Sequence, residues 1–94
     1  MVDAEKLAGI FKLLSVKARI RIVQVLKRRG MCVTKLTSQL GISQEATSQH
    51  LRVLREAGIV RFQKRGFHVY YSLDKQNMAF MHKAVSALYE SCDA

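Results

Sequence analysis

Gln44, Thr47, Ser48, Gln49 and Arg52 are amide, hydroxyl and guanidinium side chains grouped within a single stretch, residues 41–57. Read as a helix, that stretch presents them outward. Such groups hydrogen-bond base edges and phosphates. They are poor candidates for catalysis, because the lone histidines and scattered acids supply no nucleophile–base pair and no paired carboxylates. The chain is therefore not expected to be an enzyme. A solvated polar helix face is the plain alternative for the same five residues, and the neighbouring elements decide between the two.

The helix itself is well specified. Ser43 can cap it and Glu45 lies in its first turn, where the helix dipole favours an anion. Ala46, Leu51 and Leu54 supply an inward face, with Val53 at its margin, and Gly58 ends it. Before it, residues 33–40 form a short third helix with Leu36 and Leu40 inward, joined through Gly41. A short helix, a glycine-containing turn and a longer polar-faced helix make the helix-turn-helix pattern. After it come two strand-like runs, 59–64 and 67–72, joined at Arg65-Gly66. Lys64 and Arg65 make the tip of this hairpin positive, as in a wing that reaches the DNA backbone or minor groove, and His68 near it is a polar wing residue or a phosphate contact. Val60, Phe62, Val69 and Tyr71 are expected to cover the core, and Tyr70 to be partly buried or in a polar contact.

Three helices frame this unit. Asp3 caps a first helix over 4–14, whose stripe is Leu7, Ile10, Phe11 and Leu14. Ser15 is expected to cap a second over 16–28, with Ile20, Val23 and Leu26 buried and Ile22 largely inward. Lys17, Arg21, Gln24 and Arg28 form its polar side, and Lys27, Arg28 and Arg29 a positive end suited to the dipole or to phosphate contact. Asp74 caps a last helix running to about Ser91, with Met78, Met81, Val85 and Leu88 as its stripe and Phe80, Ala84 and Tyr89 widening it. That surface is wider than one small domain requires. The helices at 4–14 and 74–91 are accordingly read as a homodimer face, against the alternative that both pad the monomer core. The fold expected is mainly α with a small β-hairpin: a winged helix-turn-helix forming one domain over 1–94, in the order helix-helix-helix-helix-strand-strand-helix.

Charge names the class of partner. Residues 17–65 hold twelve Lys/Arg and two Asp/Glu, a net +10. The remainder holds four and five, a net −1, which together give the +9 of the 94-residue chain. A polyanion suits such a middle. The cations are spread over several short elements, which disfavours a membrane-surface helix. With no long apolar run and no signal-like N-terminus, the cytoplasm is the expected compartment. No cofactor is called for.

Three segments together resemble the ArsR/SmtB family of bacterial and archaeal winged-helix repressors: Ala18-Arg19-Ile20-Arg21-Ile22-Val23, the run from Gly41 to Val60, and Arg65-Gly66 with Val69-Tyr70-Tyr71-Ser72-Leu73. The resemblance covers about residues 11–73. It implies a homodimer built from the first and last helices, bound to an imperfect palindrome of double-stranded DNA and released by an inducer. It places Gln44, Glu45, Thr47, Ser48 and Gln49 toward the major groove, with Arg65 and its neighbours at the wing. His50, directly before Leu51, is set aside as a side chain suited to packing between helices. Winged-helix protein-interaction modules are the competing class, but they need neither the basic middle nor the polar face.

The signal is less defined. Where thiolate metal sensors of the family carry Cys-Val-Cys, this chain has Cys32-Val33-Thr34. A soft metal wants two or three thiolates. The last helix lacks the paired ligands of zinc-type members, since His82 and Glu90 lie on poorly matched faces. No metal site is therefore expected, and a metal- or metalloid-responsive repressor is the alternative. Cys32 and Cys92 remain as candidate redox-sensing residues, released by oxidation or persulfidation, or else as an inert apolar side chain and a tail residue.

Overall fold

The computed structural model describes residues 3–90. Its elements are α1 (Ala4–Leu13), α2 (Lys17–Arg28), β1 (Met31–Cys32), α3 (Val33–Leu40), α4 (Gln44–Glu56), β2 (Val60–Arg65), β3 (His68–Leu73) and α5 (Lys75–Tyr89). The expected order of helices and hairpin is present, with one strand added. Met31 and Cys32 pair with Tyr71 and Tyr70, so the sheet has three antiparallel strands in the order β1-β3-β2. Two residues are too few to show a period-two pattern. Gly30 permits the approach: a Cβ there would fall 2.8 Å from the Tyr71 carbonyl oxygen.

Local capping follows the sequence at three helices. The Asp3, Ser43 and Asp74 side chains accept from the amides of Lys6 (2.8 Å), Ala46 (3.0 Å) and Asn77 (3.0 Å). Each satisfies an amide that the first helical turn leaves without a partner. Ser15 does otherwise. Its hydroxyl donates back to the Lys12 carbonyl at 2.7 Å, and the N-cap of α2 is Val16, which offers no side-chain cap. In so short a turn the end of α1 captures the hydroxyl. Gly41 closes α3 in the left-handed region, with φ 68°. There it leaves the Thr37 carbonyl accepting the Gly41 amide at 3.0 Å.

Ile22, Leu26, Met31, Leu36, Leu40, Leu51, Leu54, Ile59 and Val60 form the buried core between α2, α3, α4 and the sheet. The buried line of α2 is Ile22 and Leu26, one turn apart. Ile20, expected inside, is 43% exposed, and Phe62 is 45% exposed. The Phe62 ring instead lies beneath the Arg55 guanidinium, 4.7 Å from its centroid, and 6.4 Å from the Tyr71 ring. Helix α1 has no fully buried residue and rests on α5. Among the described residues, no helix is long and apolar enough to cross a membrane.

Candidate nucleic-acid interface

Thr47, Leu51 and Leu54 are the buried residues of α4, at spacings of four and three. Burying that line turns Gln44, Glu45, Ser48, Gln49 and Arg52 to solvent. Thr47 therefore corrects the sequence reading. It is 0% exposed, and its hydroxyl donates to the Ser43 carbonyl at 2.9 Å. That carbonyl, one turn back in the chain, satisfies the hydroxyl within the helix, so a threonine can take an apolar position. The other five candidates on α4 are all exposed. Arg52 is exposed and pairs with Glu56 at 3.1 Å, one turn along. Such a pair adds little to stability and leaves the guanidinium free to exchange partners.

Two arginines of α2 hold the helix-turn-helix in place from behind. Arg21 donates to the carbonyls of Leu40 (2.8 Å) and Gln39 (3.3 Å), two of the carbonyls left open at the end of α3. Arg19 donates through Nε to Nδ1 of His50 at 3.4 Å and through Nη1 to the Leu13 carbonyl at 3.3 Å. His50 thus links α4 to α2, in keeping with its exclusion from the site. These roles leave no local trace in sequence, because the partners of Arg21 lie 18 and 19 residues away.

The wing turns one residue later than expected. Arg65 pairs with His68, so the two-residue turn is Gly66-Phe67. Gly66 has φ 63°, which suits the first central position of a tight hairpin turn. Alternation along the strands then sorts the side chains. Arg61, Gln63, Arg65, His68 and Tyr70 share one face, while Lys64 lies on the other with Val69. Arg65 rests over the Tyr70 ring, 5.1 Å from its centroid, with Nη2 3.4 Å from Gln63 Oε1. Arg65 and His68 are thus brought together and Lys64 is parted from them. Arg61 and Gln63 join the polar wing face, which the period-two pattern of 61, 63 and 65 could have revealed.

Cys32 is half-buried at the N-cap of α3 and makes no capping hydrogen bond. Cys92 lies outside the described residues. Among those described, no three His, Cys, Asp or Glu side chains gather in a metal-binding group.

A model of bacterial regulatory proteins of the arsR family matches residues 17–61, from the start of α2 into β2. The chain is 37% identical over 83 residues to a cadmium resistance transcriptional regulatory protein CadC homolog of Staphylococcus aureus, covering 81% of this chain and 69% of that relative. To a transcriptional repressor SmtB homolog of Synechocystis it is 30% identical over 91 residues, covering 97% and 69%. The crystal structure of the transcriptional repressor BigR from Xylella fastidiosa superposes with a TM-score of 0.74 at 31% identity, covering 95% of this chain and 91% of that one. On these matches the chain belongs to the ArsR/SmtB family of transcriptional regulators.

Proposed function

We propose that this protein represses transcription by binding duplex DNA sequence-specifically, as a homodimer on an imperfect palindrome. One observation carries the reading: α4 buries Thr47, Leu51 and Leu54, which leaves Gln44, Ser48, Gln49 and Arg52 in solvent within the most basic part of the chain. Glu45 stands at the N-terminal end of that face, where its carboxylate can accept from a cytosine amino group. Arg61, Arg65 and His68 add a phosphate-binding edge from the wing.

Dimerisation is supported by what α1 and α5 leave uncovered. Phe80, Leu88 and Tyr89 are exposed, and a groove of about 640 Å³ between the two helices is lined by Ala4, Leu7, Phe80, Ala84 and Leu88. A dimer through this face has to set its two α4 helices against successive major grooves, about 34–36 Å apart on B-DNA. Release is assigned to thiol chemistry at Cys32, since this residue is the N-cap of α3 and pairs with Tyr70 of the wing. Modification there bears on the first helix of the helix-turn-helix and on the wing. Unchanged DNA affinity after confirmed persulfidation of Cys32 removes this assignment.

The test of the function compares a duplex enriched from a random pool with an unselected duplex. Gln49→Ala should cost about 1–3 kcal/mol on the enriched duplex and far less on the other. Equal losses on both would show that Gln49 does not read bases.

A further inference from the structure

Phe67 takes no part in the packing of the domain. Its relative exposure is 105%, the highest among the exposed large hydrophobic side chains. It is the second residue of the Gly66-Phe67 turn, closed by the Arg65–His68 pair between two six-residue strands. A turn this short fixes the direction of the chain, so the ring is presented at the end of the ribbon. Single exposed apolar residues are ordinary on protein surfaces. This one is set apart by its surroundings. Residues 57–73 contain no Asp or Glu. Lys64 lies on one face of the ribbon, and Arg65 and His68 on the other, so the ring emerges between cationic or polar groups on both sides.

An apolar flat tip with Lys64 on one flank and Arg65 beside His68 on the other complements a narrow channel with phosphate walls and a stacked floor. The minor groove of duplex DNA has that form, and phenylalanine is among the side chains that wedge between its base steps. We propose that Phe67 is such a wedge, entering the minor groove beside the major-groove site of α4 and partly unstacking one base step. The proposal rests on the DNA-binding reading above. Lys64 faces one phosphate wall, and Arg65 with His68 faces the other. Pyrimidine–purine steps unstack most readily, so the wing selects TA or CA/TG at a position where no side chain hydrogen-bonds a base. Phe67 is thereby a specificity-determining residue outside the recognition helix.

The experiment uses the full chain and a duplex that it enriches from a random pool, with 2-aminopurine substituted at successive positions flanking the α4 half-site. Wild-type protein should raise the fluorescence at one position. Phe67→Ala should abolish that signal and weaken binding roughly tenfold, about 1.4 kcal/mol. The salt dependence of its affinity should stay that of wild type, because an uncharged ring releases no counterions. Phe67→Leu, still apolar, should retain more affinity than the alanine variant, and the thermal midpoint of both should match wild type. Wild-type affinity and fluorescence in Phe67→Ala would overturn the wedge while leaving DNA binding intact. Failure of the wild-type chain to enrich any duplex would instead overturn the reading beneath it. Vesicles of phosphatidylserine and phosphatidylcholine form the remaining arm: Phe67-dependent binding to them, without any effect of Phe67 on duplex binding, would overturn the proposal in favour of a lipid surface.

Discussion

Replacing Thr47 by valine separates a buried helix position from a DNA-reading one. The two side chains have the same shape and nearly the same helix propensity. Valine loses one hydrogen bond to the Ser43 carbonyl, worth about 0.5–1.5 kcal/mol. It leaves no orphan, because that carbonyl still accepts the Thr47 amide at 3.0 Å. In exchange, a buried methyl group contributes about 0.8 kcal/mol. The two effects nearly cancel, so Thr47→Val should unfold within about 0.5 kcal/mol of wild type and bind the enriched duplex unchanged. Thr47→Ala loses both the bond and a methyl, about 1.8 kcal/mol together, offset by roughly 0.6 kcal/mol of helix propensity. The remainder of about 1.2 kcal/mol should lower the thermal midpoint by roughly 5–10 °C. Denaturant unfolding and fluorescence anisotropy on the same preparations supply both readouts. A tenfold loss of DNA affinity in Thr47→Val, with unchanged stability, would show that the hydroxyl meets DNA and that the face assigned to α4 is wrong.

Arg21→Ala should destabilise the domain by about 1–3 kcal/mol, since it reopens the Leu40 and Gln39 carbonyls; at temperatures where the variant is folded, its salt slope on DNA should match wild type. Arg65→Ala should weaken enriched and unselected duplexes alike and reduce the slope of log K against log salt by about 1, measured by anisotropy from 50 to 200 mM salt. Leu88→Lys, in the α1–α5 groove, should shift sedimentation at micromolar concentration from dimer to monomer while preserving the helical circular-dichroism signal. A wild-type chain that sediments as a monomer would remove the dimer.

The architecture was legible where information is local or periodic. Asp3, Ser43 and Asp74 each satisfy an amide three residues on, and Leu36, Leu40, Leu51 and Leu54 repeat at helical spacing. What escaped depended on distant or very short partners. The pairing of Met31 and Cys32 is fixed by β3, some 40 residues away. Thr47 reads as polar until its hydroxyl is seen to bond within its own helix. At the wing, moving the turn by one residue slips the pairing by two, so the alternation that groups Val60, Phe62, Val69 and Tyr71 is kept. What changes is the tip: Phe67 leaves the strand for the turn, and Lys64 and Arg65, adjacent in a strand, take opposite faces.

Selection from a random duplex pool by the wild-type chain, followed by salt titration of the enriched sequence, tests the central claim most directly. The expected result is an enriched pair of inverted half-sites about one helical turn apart, bound far more tightly than unselected DNA and weakening steeply as salt rises. Enrichment of no sequence, or equal affinity for enriched and unselected duplexes at every salt concentration, would contradict the assignment of α4 as the element that reads DNA.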